Sequence, residues 1–233
     1  MGQLESLDTD EGLEKRRHRH WYDRLMMLSD GVFAIALTIL AAEITPLMTP
    51  GASLDSLWAA LVPQLDAYAL SVVVICVFWL AHRRFMAMIL TVDPPVTVLT
   101  QIMLALVALV PAATRLADRQ HGSPYAMIIY GGLVVAIGFA CAAMWGYAAL
   151  AANLVSDEVS KAQRWFFFAL ILFTPPFFLA ITGTLQRPPP GAVPLTLLLL
   201  FLIGWRTRVW ITRRLGGTPA KPPRESEDHT QAA

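Results

Sequence analysis

Arg24, Ser29 and Asp30 stand at the head of a stretch, RLMMLSDGVFAIALTILAAE from Arg24 to Glu43, that is otherwise apolar. The stretch is long enough to cross a bilayer. A carboxylate at the start of a membrane helix is strongly disfavoured unless it is paired, so Asp30 marks a functional site by default. Arg24 lies six residues and about 120° around the helix from Asp30, a poor geometry for a direct pair. Partners on another helix are expected instead. Trp79 and His82, three residues apart near the end of the second apolar run, share a face. Trp offers an N–H donor, and His a donor or an acceptor.

The same stretch carries a second pattern. At about 100° per residue, Leu28, Gly31, Ile35, Ile39 and Ala42 fall within roughly 40° of one line, with Thr38 at its edge. Asp30 lies roughly 140° from Ile35. If the stripe faces a symmetry axis, Asp30 is expected to point back into its own subunit. Periodicity alone does not decide what the stripe does, since bundle interfaces show the same spacing. Glu43 lies near the stripe direction at the far end. It reads either as an acid that concentrates cations at a pore mouth or as a solvated interfacial residue.

These residues need a membrane scaffold to hold them. Of the 233 residues, 56% are hydrophobic and 15% charged, with a mean hydropathy of +0.53. Six segments look able to span: about 25–44, 58–80, 96–114, 125–150, 165–184 and 193–209. Pro175-Pro176 is expected to kink the fifth, and Pro188-Pro189-Pro190 to precede the sixth. Residues 1–23 read as a cytoplasmic segment without the apolar core of a signal peptide, 24–214 as one six-helix domain, and 215–233 as a disordered tail.

Six spans place both termini on one side. That side then holds 15 of the 18 Lys and Arg residues, all but Arg115, Arg119 and Arg187. The positive-inside rule makes it the cytoplasm. Within it, His18 and His20 belong to a basic run suited to anionic headgroups. A net charge of +1 suggests no nucleic-acid partner. Cys76 and Cys141 sit in apolar runs and are expected to pack as small hydrophobes. No paired-His metal motif, nucleophile elbow or phosphate loop appears, so neither an enzyme nor a cofactor or fixed metal is expected.

Arg24 to Asp30 resembles the RxxxFSD signature of the prokaryotic transmembrane protein 175 family, potassium-permeable channels related to the lysosomal channel of animals. The continuation GVFAIALTI, from Gly31 to Ile39, is similar to that family's first helix. WLAHRRF, from Trp79 to Phe85, resembles its WxxHHxxF element. Leu28 stands where the signature has Phe, and Arg83 where a second His is common.

The resemblance implies a homotetramer in a prokaryotic inner membrane, with four copies of the first helix around a pore. It places Ile35 at the narrowest ring, Ile39 at the next, and Ala42 at a third position that is often Leu. Thr38 would offer hydroxyls to a passing ion, and potassium would be bound only in transit. Arg24, Ser29, Asp30, Trp79 and His82 would act as structural supports. No carbonyl-filter loop of the TVGYG kind is present, so discrimination would rest on the cost of stripping water from the ion at an aliphatic ring. The competing classes are a proton-coupled secondary transporter, with Asp30, Glu43, Asp66 and His82 as its relay, and a non-conducting structural membrane protein. No repeat between the two halves is evident to support the transporter.

Overall fold

The computed structural model describes residues 2–44, 53–119 and 124–184. Six α-helices follow one another: α1 (Gly2–Ala42), α2 (Leu54–Met86), α3 (Pro94–Ala108), α4 (Val110–Arg119), α5 (Pro124–Gly146) and α6 (Lys161–Thr184). A π-helical turn, Tyr147–Ala151, extends α5. Among the described residues the only extended pairing is an isolated antiparallel bridge between Ile89 and Val155.

Among the described residues, four stretches are long and apolar enough to cross a membrane: His20–Ala42, Leu54–Met86, Pro94–Arg119 and Ile128–Ala151. They coincide with the first four expected spans. The expected fifth span, 165–184, falls inside α6, which continues through Pro175 and Pro176. The sixth, 193–209, and the tail, 215–233, lie outside the described residues.

Two boundaries differ from the sequence reading. The division at residue 23 is not an element boundary, because α1 runs unbroken from Gly2 through the apolar stretch. The third span is two helices rather than one. Pro111 has no N–H to give the carbonyl of Val107, so the α-helical ladder cannot continue through it. The turn tightens at Leu109, whose N–H donates to Leu106 O at 3.1 Å, and α4 starts at the next residue.

Polar side chains set the helix starts. Ser53 caps α2, its hydroxyl accepting from the Ser56 N–H. Asp93 caps α3 by accepting from the Val96 N–H at 3.0 Å, with Pro94 and Pro95 in the first turn, where a missing N–H costs nothing. The second oxygen of Asp93 accepts from the Tyr147 hydroxyl at 2.6 Å, which ties the π-helical turn to the start of α3.

α1 packs against α2, α3 and α4, and α5 against α3, α4 and α6. Lipid tails are as apolar as Leu, so close packing and interhelical hydrogen bonds, rather than escape from water, hold such a bundle together. Phe85, Trp145 and Phe167 form its largest aromatic cluster, with ring centroids 4.7 to 6.1 Å apart. Beside it lies Arg164, buried at the start of α6. Its guanidinium donates to the carbonyls of Ala149, Val155, Ser156 and Val159 and to the side chain of Asn153, which adopts a positive φ of 52°. Its own carbonyl accepts from the Trp145 indole at 3.1 Å. One cation thus gathers the carbonyls of the irregular segment between α5 and α6.

Candidate functional site

The first membrane helix has two unlike halves. Leu25, Ser29, Phe33, Ala36 and Leu40 follow a 4-4-3-4 spacing and are all buried. That face meets the rest of the subunit. On the other half Leu28, Ile35 and Ile39 are 48%, 59% and 45% exposed, and Thr38 and Ala42 are exposed with them. The stripe picked out by angular spacing is therefore left uncovered by its own subunit.

Thr38 has a further property. Its hydroxyl donates to the Ile35 carbonyl at 2.8 Å. A hydroxyl has a single hydrogen, so its oxygen presents lone pairs outward rather than a donor.

The polar residues at the head of the helix split into two contacts with α2. The indole N–H of Trp79 donates to Asp30 Oδ1 at 2.8 Å. Ser29 is fully buried; its hydroxyl donates to Leu25 O at 2.8 Å and lies 3.1 Å from His82 Nε2. Since the serine hydrogen serves Leu25, the imidazole must be the donor at Nε2. The buried Nδ1 of His82 then meets no hydrogen-bond partner among the described residues. Phe33 packs near the imidazole, with centroids 6.3 Å apart.

Asp30 does bond its own subunit through Trp79, one of the two expected partners, but from the flank of the helix and not from its buried face. Ser29 occupies the centre of the buried face. Asp30, one residue and about 100° further round, is exposed and reaches Trp79 along the flank of the helix. His82 belongs with Ser29 rather than with the acid. Arg24 is exposed, and no hydrogen bond or ion pair joins it to Asp30.

Glu43 also differs from the reading of a free acid at a pore mouth. It is only 12% exposed and pairs with Arg115 of α4 at 2.8 Å. At about 60° from the Ile35–Ile39 direction, its side chain can turn back along the subunit, and α4 supplies the charge that draws it there. It lies in a cleft of about 280 Å³ lined also by Tyr68 and Thr114.

Several contacts had no separate signal in the sequence. Arg83, at the position where a second His is common, lies over the Trp79 ring at 5.4 Å, and Arg84 lies over Phe167 at 5.5 Å. A cation above an indole face is attracted by its quadrupole, so Trp79 is held on its face as well as its edge. Ser71 of α2 joins Thr114 of α4 at 2.7 Å and Tyr130 of α5 at 3.1 Å. Hydroxyls inside apolar runs were the available clue to that link, but spacing could not pair them.

A bundle of long apolar helices, one of them clamped on one face by buried polar bonds and bare on the other, marks a multispanning membrane protein. The model of the family described as Endosomal/lysosomal potassium channel TMEM175 matches residues 24–111. A potassium channel of Chamaesiphon minutus is 32% identical over 150 residues, covering 60% of this chain and 72% of the relative. A potassium channel of Streptomyces collinus is 31% identical over 143 residues, covering 58% and 68%. The crystal structure of a lysosomal potassium-selective channel TMEM175 homologue from Chamaesiphon minutus shares the fold. It matches with a TM-score of 0.62 at 24% identity, over 79% of this chain and 97% of that one. The chain belongs to the TMEM175 family, a family of potassium channels and not an enzyme class.

Proposed function

We propose that four copies of this chain assemble in the inner membrane of a prokaryote into a potassium-permeable cation channel, with α1 of each lining the pore. The observation that carries this reading is the uncovered half of α1. It is not uniformly apolar, as a lipid-facing surface would be: Thr38 turns an oxygen outward between Ile35 and Ile39, and Asp30 and Arg24 are exposed at the head of the helix. A membrane face of mixed polarity favours an aqueous lumen or a neighbouring subunit over lipid.

In this arrangement Ile35 forms the narrowest ring and Ile39 the next, while the small Ala42 leaves the far end wider. An aliphatic ring cannot replace an ion's hydration shell, so it gates by dewetting and discriminates by the cost of dehydration. Potassium holds its water less tightly than sodium and passes more readily, with modest selectivity. Thr38 oxygens offer partial compensation beside the constriction. No cofactor or resident metal takes part; the permeant ion is bound only in transit. The charge asymmetry of the loops supports an orientation with both termini in the cytoplasm.

A proton-coupled transporter gains no support from the geometry. Asp30 and Glu43 are thirteen residues apart, about 20 Å at 1.5 Å per residue, and each is engaged by a different helix. The test is a proteoliposome flux assay with potassium, caesium and sodium, comparing the wild type with Ile35→Asn. Faster cation flux in the variant is expected. Saturable solute uptake without ion conductance would replace the channel by the transporter.

A further inference from the structure

The polar supports at the head of α1 have a counterpart at its other end. The final turn closes with the Glu43 N–H donating to Ile39 O at 3.1 Å and the Ile44 N–H to Ala41 O at 3.4 Å. At that point the Glu43 carboxylate meets the Arg115 guanidinium at 2.8 Å. Arg115 follows Thr114, whose hydroxyl is bonded to Ser71 on α2 at 2.7 Å. Ser71 in turn lies 3.1 Å from the Tyr130 hydroxyl on α5. The stretch of α4 that reaches α1 is therefore tied to two other helices by buried polar bonds. Between Asp30 and Glu43 the face of α1 that meets its subunit is apolar, with Phe33, Ala36 and Leu40 buried and Val32 and Leu37 packed at its edges.

We infer that Arg115 is a positioning residue of the conduction path: through Glu43 it clasps the end of α1 remote from Asp30 and fixes how far Ile39 and Ala42 stand from the axis. The inference rests on the reading of α1 as the pore helix. In it, the Glu43 charge is consumed in holding the helix and does not recruit ions. Arg115 is about half exposed, which makes the clasp a modest tie, while the near-burial of Glu43 shields the pair on one side.

The two roles predict opposite patterns. If the pair is a clasp, Glu43→Gln and Arg115→Gln shift unitary potassium conductance in the same direction, at low and at high salt. The double variant Glu43→Arg with Arg115→Glu returns it towards the wild-type value. If Glu43 serves only as a mouth charge, the two single variants shift conductance in opposite directions, and both effects vanish in high salt. That pattern, or no change in either single variant while Ile35→Asn still raises conductance, overturns the clasp.

A silent Ile35→Asn overturns the pore reading instead. The clasp is then decided by amide hydrogen exchange at Glu43 and Ile44 in the assembled protein. Both single variants should exchange about two- to fivefold faster, the range commanded by an ion pair of this exposure, and the swapped pair should recover. Unchanged exchange overturns the clasp. Arg115→Lys, which keeps the charge and gives up the forked geometry, carries both measurements if a glutamine variant does not assemble.

Discussion

Ser29 and Asp30 are neighbours in sequence with different tasks. Ser29 is sealed inside the subunit, and its oxygen receives the His82 Nε2 proton while its own hydrogen serves Leu25. Ser29→Ala would leave neither ring nitrogen of His82 with a partner among the described residues. Losing the partner of a buried donor costs about 1–3 kcal/mol, so a lower thermal unfolding midpoint in detergent is expected, with ion preference unchanged. Asp30→Ala removes the acceptor of the Trp79 indole, a bond to a charged group worth about 1.5–3 kcal/mol. Loss of assembly or folding should follow, read by size-exclusion chromatography; a normally assembled variant with altered ion preference would show instead that Asp30 acts on the ion. The i, i+3 spacing of Trp79 and His82 made their shared face legible in the sequence. Helical angles give a face and not a partner, so they could not show that the acid takes the indole and the serine the imidazole. For the same reason Glu43 read as either a mouth acid or a solvated interfacial one: its counter-charge, Arg115, sits on another helix and is invisible to local spacing.

At the scale of elements, hydropathy located the first four spans because the bilayer imposes a length on them. It missed the division of the third, where the cause is the single missing N–H of Pro111. It also gave no hint of the Arg164 cluster, whose acceptors are backbone carbonyls that any sequence would supply. The contact between α5 and α6 depends on a small residue. A Cβ added at Gly138 would run into the Pro175 ring, whereas one added at Gly132 on the same helix meets nothing within 4 Å. Gly138→Ala should therefore destabilise the protein by about 1–3 kcal/mol through overpacking. Gly132→Ala should be neutral or gain up to about 1 kcal/mol of helix propensity. Paired thermal unfolding curves in detergent measure the difference, and equal midpoints would mean that α5 and α6 do not meet so closely.

The subunit as a whole leaves half of its first membrane helix uncovered, and assembly is the proposed completion. In the proposed channel, replacing Ile35 by Asn would introduce a polar ring where water would otherwise be expelled, lowering the barrier to a hydrated ion. The flux of potassium, caesium and sodium should rise together and the ratio between them should narrow, if dehydration is, as proposed, the basis of the discrimination. Unchanged flux would place Ile35 outside the conducting path. Cross-linking in membranes should yield species up to four chains. This was the level at which the sequence said least on its own. A stripe of Ile, Thr and Ala is common to interfaces and pores, and it is the family motifs at Arg24–Asp30 and Trp79–Phe85, not periodicity, that favour the pore reading.

The unbroken course of α1 from Gly2 has a mechanical meaning. Taken as an unbent rod held at Asp30, it has one arm of 28 residues, about 42 Å, back to Gly2. The other arm, from Asp30 to Glu43, is thirteen residues or about 20 Å. A sideways force at Gly2 then bears on the Glu43–Arg115 contact with about twofold mechanical advantage. The indole of Trp79 and the imidazole of His82 stand at the fulcrum and the guanidinium of Arg115 at the catch, so in the proposed channel the stiffness around Ile35 and Ile39 would depend on side chains remote from the ion.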